Sequence, residues 1–472
     1  MNMGSVQILT LPPGFKGNYF DSFKTFLAER LDYLPKLKKR LVIDTLGLPS
    51  WVDVDDFDLD YHVRRTHVRS TDEHELARKL GRLQHLAFDF SKPLFMFYII
   101  EGLADGKIAL MQKFHHAFAD GKTAVRMMDL FSDEGLASAT RAPEDEETET
   151  QSNVLGRSIA GCIEDARRTF NSLAGLAGAG RKMLNSDGKA MLDRIRARPV
   201  TVFNQPLSEK RLFATRCWSL DELNRTRKAA GLTFNDMGLV LLGGALQRYL
   251  DELDVLPEQS LVCNVPVALE VAGSDGGNAV MAIWVPMGTH LSDRRERIAY
   301  VKAEADDCKQ FLTQVLEGAM EGGGVELPSF MVRMMALPLS SPWLARQNPP
   351  PGNVAMSNVP APATPIHVAG AKVDSLFGMP MLLQAQAISA TFSSYAGQVV
   401  SSILCCEDAL PDPEQIFRYM DDELKTLGEL YGVAPASGKK PVRKKQATKA
   451  RTAKSKAGTA RKPAARRRKM AI

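Results

Sequence analysis

The stretch Phe114-His115-His116-Ala117-Phe118-Ala119-Asp120-Gly121, which follows the apolar run Ile108-Ala109-Leu110-Met111, constrains this chain more than any other. The apolar and β-tolerant residues from Lys107 to Phe114 predict a strand, along which successive side chains leave on opposite faces. Only one of the two adjacent histidines therefore enters a given cleft. Asp120-Gly121 reads as a tight turn, and Lys122 to Leu130 as a helix with Ala124, Val125, Met128 and Leu130 available for an apolar face. An imidazole with an ordinary pKa of about 6.5 takes a proton near neutral pH, while a short acidic side chain fixes the loop that holds it. The bland alternative is a structural or surface-exposed pair. A metal site is disfavoured, because adjacent strand histidines diverge and no second His, Cys or Asp cluster has ligand spacing.

The 472 residues suffice for two or three domains, and 44% hydrophobic with 24% charged residues is the balance of a globular chain with a sizeable core. No run of eighteen apolar residues occurs, and Met1-Asn2-Met3-Gly4-Ser5 lacks a charged region followed by an apolar one. The expectation is a cytoplasmic protein that does not span a membrane. Cysteines 162, 217, 263, 308, 405 and 406 have no C-x-x-C spacing and suit reduced, buried thiols. Of the 60 Lys and Arg, 15 lie between Lys439 and Lys469, where no acid occurs, so the rest carries 45 bases against 55 acids. An acidic body carries a basic tail.

In order, Ser5 to Leu11 reads as a strand, Tyr19 to Leu31 as a helix with Phe20, Phe23, Phe26 and Leu27 on one side, and Glu73 to Leu86 as an amphipathic helix. Pro143 to Glu149 is an acidic linker signal, and Val154 to Arg198 is basic and rich in Ala, Gly and Leu. That segment is either a helical crossover or an interfacial helix with Arg167, Arg168, Arg181 and Lys182 toward lipid headgroups. Thr233 or Asn235 is a candidate cap for the helix from Gly238 to Leu250, and Asp412 to Leu430 closes the globular part as a helix with Pro413 in its first turn. From Gly432 the chain is of low complexity: a solvated tail, or a charged one that adheres to anionic phospholipid or nucleic acid through residues 439–469.

The pattern His115-His116-x-x-x-Asp120-Gly121 resembles the signature of the CoA-dependent acyltransferase superfamily, which includes chloramphenicol acetyltransferase and peptide-synthetase condensation domains. Residues 3 to 432 resemble one branch, the bacterial wax ester synthase/diacylglycerol acyltransferase family, through Asp89-Phe90-Ser91-Lys92-Pro93-Leu94-Phe95, Asn235-Asp236, Gly277-Asn278, Ser357-Asn358-Val359-Pro360 and Ser394-Tyr395-Ala396-Gly397. This chain departs from the family pattern at Phe95 (usually Trp), Met96 (commonly Glu), Glu270 (usually Arg) and Ala361 (usually Gly). Relatives also carry a helix ahead of the first strand, which leaves either a misassigned start or a shortened N-terminal wall.

The resemblance implies an α/β fold of two chloramphenicol-acetyltransferase-like lobes, with mixed sheets and flanking helices around a central channel. The expected divisions are a lobe at 1–135, a linker and helical crossover at 136–205, a second lobe at 206–432 and a disordered tail at 433–472. The implied reaction moves a fatty acyl group from acyl-CoA, a co-substrate, to diacylglycerol or a long-chain alcohol, with no bound cofactor, no metal and no covalent intermediate. His116 would be the general base, His115 a support, Asp120 and Gly121 the loop's brace and turn, and Asn235 and Ser394 candidate oxyanion donors. The expected location is peripheral, on the inner membrane or lipid inclusions. The competing expectation is a low-activity paralogue that coats inclusions or tethers them to anionic membrane or DNA through its tail.

Overall fold

The computed structural model describes residues 2–43, 49–69, 73–118, 127–135, 177–183, 189, 193, 197–269, 279–321, 341–347, 352–359 and 361–433. Its strands are β1 (Asn2–Thr10), β2 (Lys39–Ile43), β3 (Pro49–Asp53), β4 (Val63–His67), β5 (Phe95–Glu101), β6 (Ile108–His115) and β7 (Arg211–Ser219). They continue as β8 (Val262–Leu269), β9 (Ala279–Pro286), β10 (Val354–Ser357), β11 (His367–Val368), β12 (Ala371–Met379), β13 (Ile388–Tyr395) and β14 (Gln398–Cys406). The helices are α1 (Tyr19–Ala28), α2 (Leu59–His62), α3 (Glu73–His85), α4 (Leu220–Ala229), α5 (Phe234–Glu252), α6 (Arg294–Glu321), α7 (Pro342–Gln347) and α8 (Pro413–Leu430).

Two six-stranded sheets dominate, in the orders β11-β12-β1-β6-β5-β4 and β7-β14-β13-β10-β8-β9. Both are mixed: β4 runs parallel to β5 in the first, and β10 parallel to β8 and β13 in the second. Strands β5 and β6 are buried on both faces and mostly apolar, as suits strands covered on both sides, and Phe23 and Phe26 of α1 pack into the core over the first sheet. Helix α5 is buried along most of its length and lies in the second core with β8, β13 and α8.

Strands β11 and β12, which fall within the segment 206–432 expected as the second lobe, belong to the first sheet. Strand β12 pairs antiparallel with β1, Gly4 opposite Met379 and Gln7 opposite Leu376. Two strands from the C-terminal half are thus needed to complete the N-terminal sheet, and residues 1–435 form one compact unit. A second tie is α3, which packs on β7: a Cβ on Gly81 would sit 2.0 Å from the Arg211 carbonyl oxygen, so only glycine permits this approach. The Arg211 guanidinium donates to Gln84 Oε1 at 2.6 Å beside it.

The helices expected at the start, at 73–86, at 238–250 and at the end match in place, with α1 ending at Ala28 and α8 starting at Pro413 behind the capping carboxylate of Asp412, while most of the helix expected at 122–130 lies outside the described residues. The cap of α5 is Thr233, not Asn235. Thr233 Oγ1 accepts from Asp236 N and Asp236 Oδ2 accepts from Thr233 N, a reciprocal capping box that places Asn235 in the first turn. The acidic linker, most of the crossover, Glu270, the 274–278 loop, 331–340 and the basic tail lie outside the described residues.

Candidate active site

The strand parity expected at the double histidine is what β6 displays. Gln112, Phe114 and His116 face a cavity of about 300 Å³, whereas Lys113 and His115 face the opposite way. The cavity lies between the sheets. Met3 and Ser5 of β1, Leu376 and Gly378 of β12, Asn264 of β8, Ser357 at the end of β10, and Ser389, Thr391 and Ser393 of β13 join His116 in its lining. Methionines 127, 128, 379 and 381 add to a wall that is mainly apolar.

On the other face, His115 lies edge-on to Phe88 and Phe90, with ring centroids 6.3 and 5.6 Å away. Its Nδ1 accepts from the Ala117 N–H at 3.2 Å, which fixes the turn leaving β6 and leaves the ring proton on Nε2. Burial pushes the His115 pKa down to about 4, so the ring stays neutral and serves as an acceptor. Desolvation also holds His116 below the ordinary imidazole value, although its ring remains open to the cavity and to solvent. A neutral imidazole is the form a base needs.

Lys113, 1% exposed, donates to the Leu83 carbonyl at 2.9 Å and to that of Leu86, near the end of α3 where carbonyls lack helical partners. Its desolvation lowers the ammonium to about pKa 7. His62 has a structural place: 1% exposed, with Nδ1 donating to the Phe95 carbonyl at 2.8 Å and its ring stacked on Phe95 at 4.1 Å. Phe95, at the position of the expected tryptophan, keeps the apolar packing role.

The other predicted residues fare unevenly. Asp120 and Gly121 lie outside the described residues. Ser394 is not among the cavity's lining residues; its neighbour Ser393 is. Along β13 the alternation sends Ser389, Thr391 and Ser393 to the cavity, and Phe392, on Ser394's face, toward Phe234 and Trp218. Asn235 is also off the lining, but its Oδ1 accepts from Asn358 Nδ2 at 3.1 Å, which joins it to the segment between the lining residues Ser357 and Val359. Ser393 Oγ accepts from Val359 N at 3.3 Å in the same place. Sequence reading missed Gln112, although its spacing of four from His116 gives it the same strand face. It also missed Asn264 and Gln386, which reach the cavity only through non-local pairing. Among the described residues no group of three His, Cys, Asp or Glu is placed to hold a metal.

Residues 1–238 match the family profile described as the wax ester synthase/diacylglycerol acyltransferase catalytic domain, and residues 276–428 the profile of the corresponding C-terminal domain. A Mycobacterium tuberculosis (strain CDC 1551) protein named as a diacylglycerol O-acyltransferase is 32% identical over 428 residues, covering 82% of this chain and 84% of its own length. Another, from strain H37Rv, is 28% identical over 453 residues, with 92% and 96% covered. Among solved structures, the wax ester synthase/diacylglycerol acyltransferase from Marinobacter aquaeolei VT8 superposes with a TM-score of 0.64 at 23% identity, covering 92% of this chain and 95% of that one. The first condensation domain of the calcium-dependent antibiotic synthetase shares the fold, with a TM-score of 0.54 at 12% identity and 92% of each chain covered.

Proposed function

The chain belongs to the wax ester synthase/diacylglycerol acyltransferase family and is an acyltransferase, and from that premise we propose that it moves a fatty acyl group from acyl-CoA to diacylglycerol or a long-chain alcohol, with His116 as general base. The observation that carries this reading is the cavity between the two sheets, apolar over most of its wall, into which His116 but not His115 projects. The acceptor hydroxyl gives its proton to the His116 ring as its oxygen attacks the thioester carbonyl carbon. The new C–O bond forms as the carbonyl π pair moves to oxygen. When the tetrahedral intermediate collapses, the C–S bond breaks and the thiolate takes the proton from the imidazolium, so no covalent enzyme intermediate is needed. A positioned base of this kind contributes typically about 10² to 10⁴ in rate.

His115 holds the turn through its bond from Ala117 N, and Asp120 and Gly121 complete the loop in this reading. For the oxyanion, Ser393 replaces its neighbour Ser394 as the β13 candidate because Ser393 lines the cavity and Ser394 does not, and Asn235 acts through Asn358. No cofactor is required. The enzyme works in the cytoplasm at an anionic membrane or lipid-inclusion surface, to which tail residues 439–469 add attraction. The test is the purified full chain with palmitoyl-CoA and either dioleoylglycerol or hexadecanol. Triacylglycerol or wax ester with stoichiometric release of free CoA is expected, and no ester from either acceptor would refute the reading.

A further inference from the structure

Three carboxamides in the His116 cavity have no part in the proton transfer. Gln112 of β6 and Gln386, in the turn before β13, are 5% and 1% exposed, yet the side-chain nitrogen of each makes no hydrogen bond among the described residues, and neither does Asn264 Oδ1 of β8. Buried polar groups in folded chains are nearly always paired, so three bare ones in one cavity point to a ligand. They come from both sides: Gln112 from the first sheet, and Asn264 and Gln386 from the second, where a Cβ on Gly352 would lie 3.1 Å from Gln386 Nε2 and 3.3 Å from Asn264 Cβ.

The spacing selects a chemistry. Gln112 is four residues ahead of His116, which directly follows the end of β6, and because side chains on one strand face stand roughly perpendicular to the sheet, this spacing keeps the two about 13 Å apart. That is too far for Gln112 to serve an oxyanion beside His116, which requires a donor within about 3 Å. In a 1,2-diacylglycerol, the more distant ester carbonyl oxygen lies about 7 Å from the free hydroxyl; one hydrogen bond of about 2.9 Å at each end extends this to about 13 Å. We infer that Gln112 and Gln386 form a polar belt that donates to the ester carbonyls of a diacylglycerol and makes an ester-bearing alcohol the preferred acceptor over a plain long-chain alcohol.

Both glutamine nitrogens donate and an ester carbonyl only accepts, so these two pairs are complementary, whereas Asn264 Oδ1, itself an acceptor, stands outside the match. The second ester is available to Gln386 Nε2 across the cavity. The hydrocarbon of a fatty alcohol would instead cover the amides with methylenes, and sites built to hydrogen-bond a substrate discriminate strongly against analogues that leave them bare. The pantetheine arm of the acyl donor also carries carbonyl oxygens. Its nucleotide end, however, is anionic, and neither lysine nor arginine is among the described lining residues.

This inference rests on the acyltransferase reading, and the experiment separates the two. Full-length wild type, Gln112→Leu and Gln386→Leu are assayed with palmitoyl-CoA and either dioleoylglycerol or hexadecanol, with KM for palmitoyl-CoA measured in each case. Wild type is expected to favour dioleoylglycerol. Each variant is expected to lose roughly 10- to 100-fold in kcat/KM on dioleoylglycerol, keep hexadecanol turnover within about threefold and leave KM for palmitoyl-CoA unchanged. An unchanged acceptor ratio, the result if buried water satisfies the amides, overturns the inference. So does a rise in KM for palmitoyl-CoA with both acceptors alike, which would assign the belt to the donor. A wild type inert on both acceptors would instead remove the acyltransferase reading. Gln112→Met and Gln386→Met replace any leucine variant that does not fold.

Discussion

At the scale of single residues, the two adjacent histidines are separated by environment as much as by direction. His115 is enclosed by Phe88 and Phe90 and pushed down to about pKa 4, and it works as a neutral acceptor for Ala117 N. His116 lines the cavity, and desolvation keeps its pKa below the ordinary value of about 6.5. The sign follows from that direction: the base acts when unprotonated, so activity is lost only as pH falls through a value below the ordinary one. Measured kcat/KM is therefore expected to be flat from pH 7 upward and to show its acid limb below about pH 6.5. A limb centred at pH 7 or higher would contradict the assignment. The opposed directions of the pair were legible from sequence, because strand parity needs only the knowledge that Lys107 to Phe114 is extended. The environments were not legible, since Phe88, Phe90 and the β13 serines meet them through pairing at a distance.

At the scale of elements, sequence motifs located the segments more reliably than the faces. The Ser-Tyr-x-Gly segment does end β13 in a two-residue turn, with Ala396 at φ 47° and Gly397 at φ 80°, the twist-matched geometry of a tight hairpin. Yet Ser394 points to the α5 side, and only the register of β13 against β14 and the position of the cavity reveal that Ser393 is the inward serine. The Asn235-Asp236 pair divides in a similar way, with Asp236 closing the capping box and Asn235 bonding Asn358. Helix α3 provides a sharper test, because helix propensity and packing oppose one another at Gly81. Alanine there would gain at most about 1 kcal/mol of helix propensity, while its Cβ would sit 2.0 Å from the Arg211 carbonyl oxygen and force α3 off β7, an overpacking penalty of about 1–3 kcal/mol or more. Gly81→Ala is therefore expected to lower the urea midpoint. A midpoint equal to or above that of wild type would show that α3 does not bear on β7 as described.

At the scale of the whole molecule, the two-sheet α/β architecture was readable because its motifs fall in a fixed order along the chain. Its closure was not: β12 travels from the C-terminal half into the first sheet, a pairing of residues 4–10 with 372–379 that no local pattern announces. This crossover makes the cavity a joint product of both halves, with His116 from one and Ser393 from the other. The charge layout adds a tail of 15 bases to an acidic body, and attraction of that kind is screened by salt. Removing 433–472 is expected to weaken binding to phosphatidylglycerol vesicles at low salt and to leave kcat on detergent-dispersed substrate unchanged; equal binding by both forms would take the tail out of the account.

His115 and His116 divide the labour of this site, and kcat of His115→Asn beside that of His116→Asn measures the division. With palmitoyl-CoA and dioleoylglycerol at pH 7.5, His116→Asn is expected to lose about 10² to 10⁴ in kcat, and His115→Asn, whose amide can still accept from Ala117 N, about tenfold or less. Equal losses, or a larger one at His115, would contradict it.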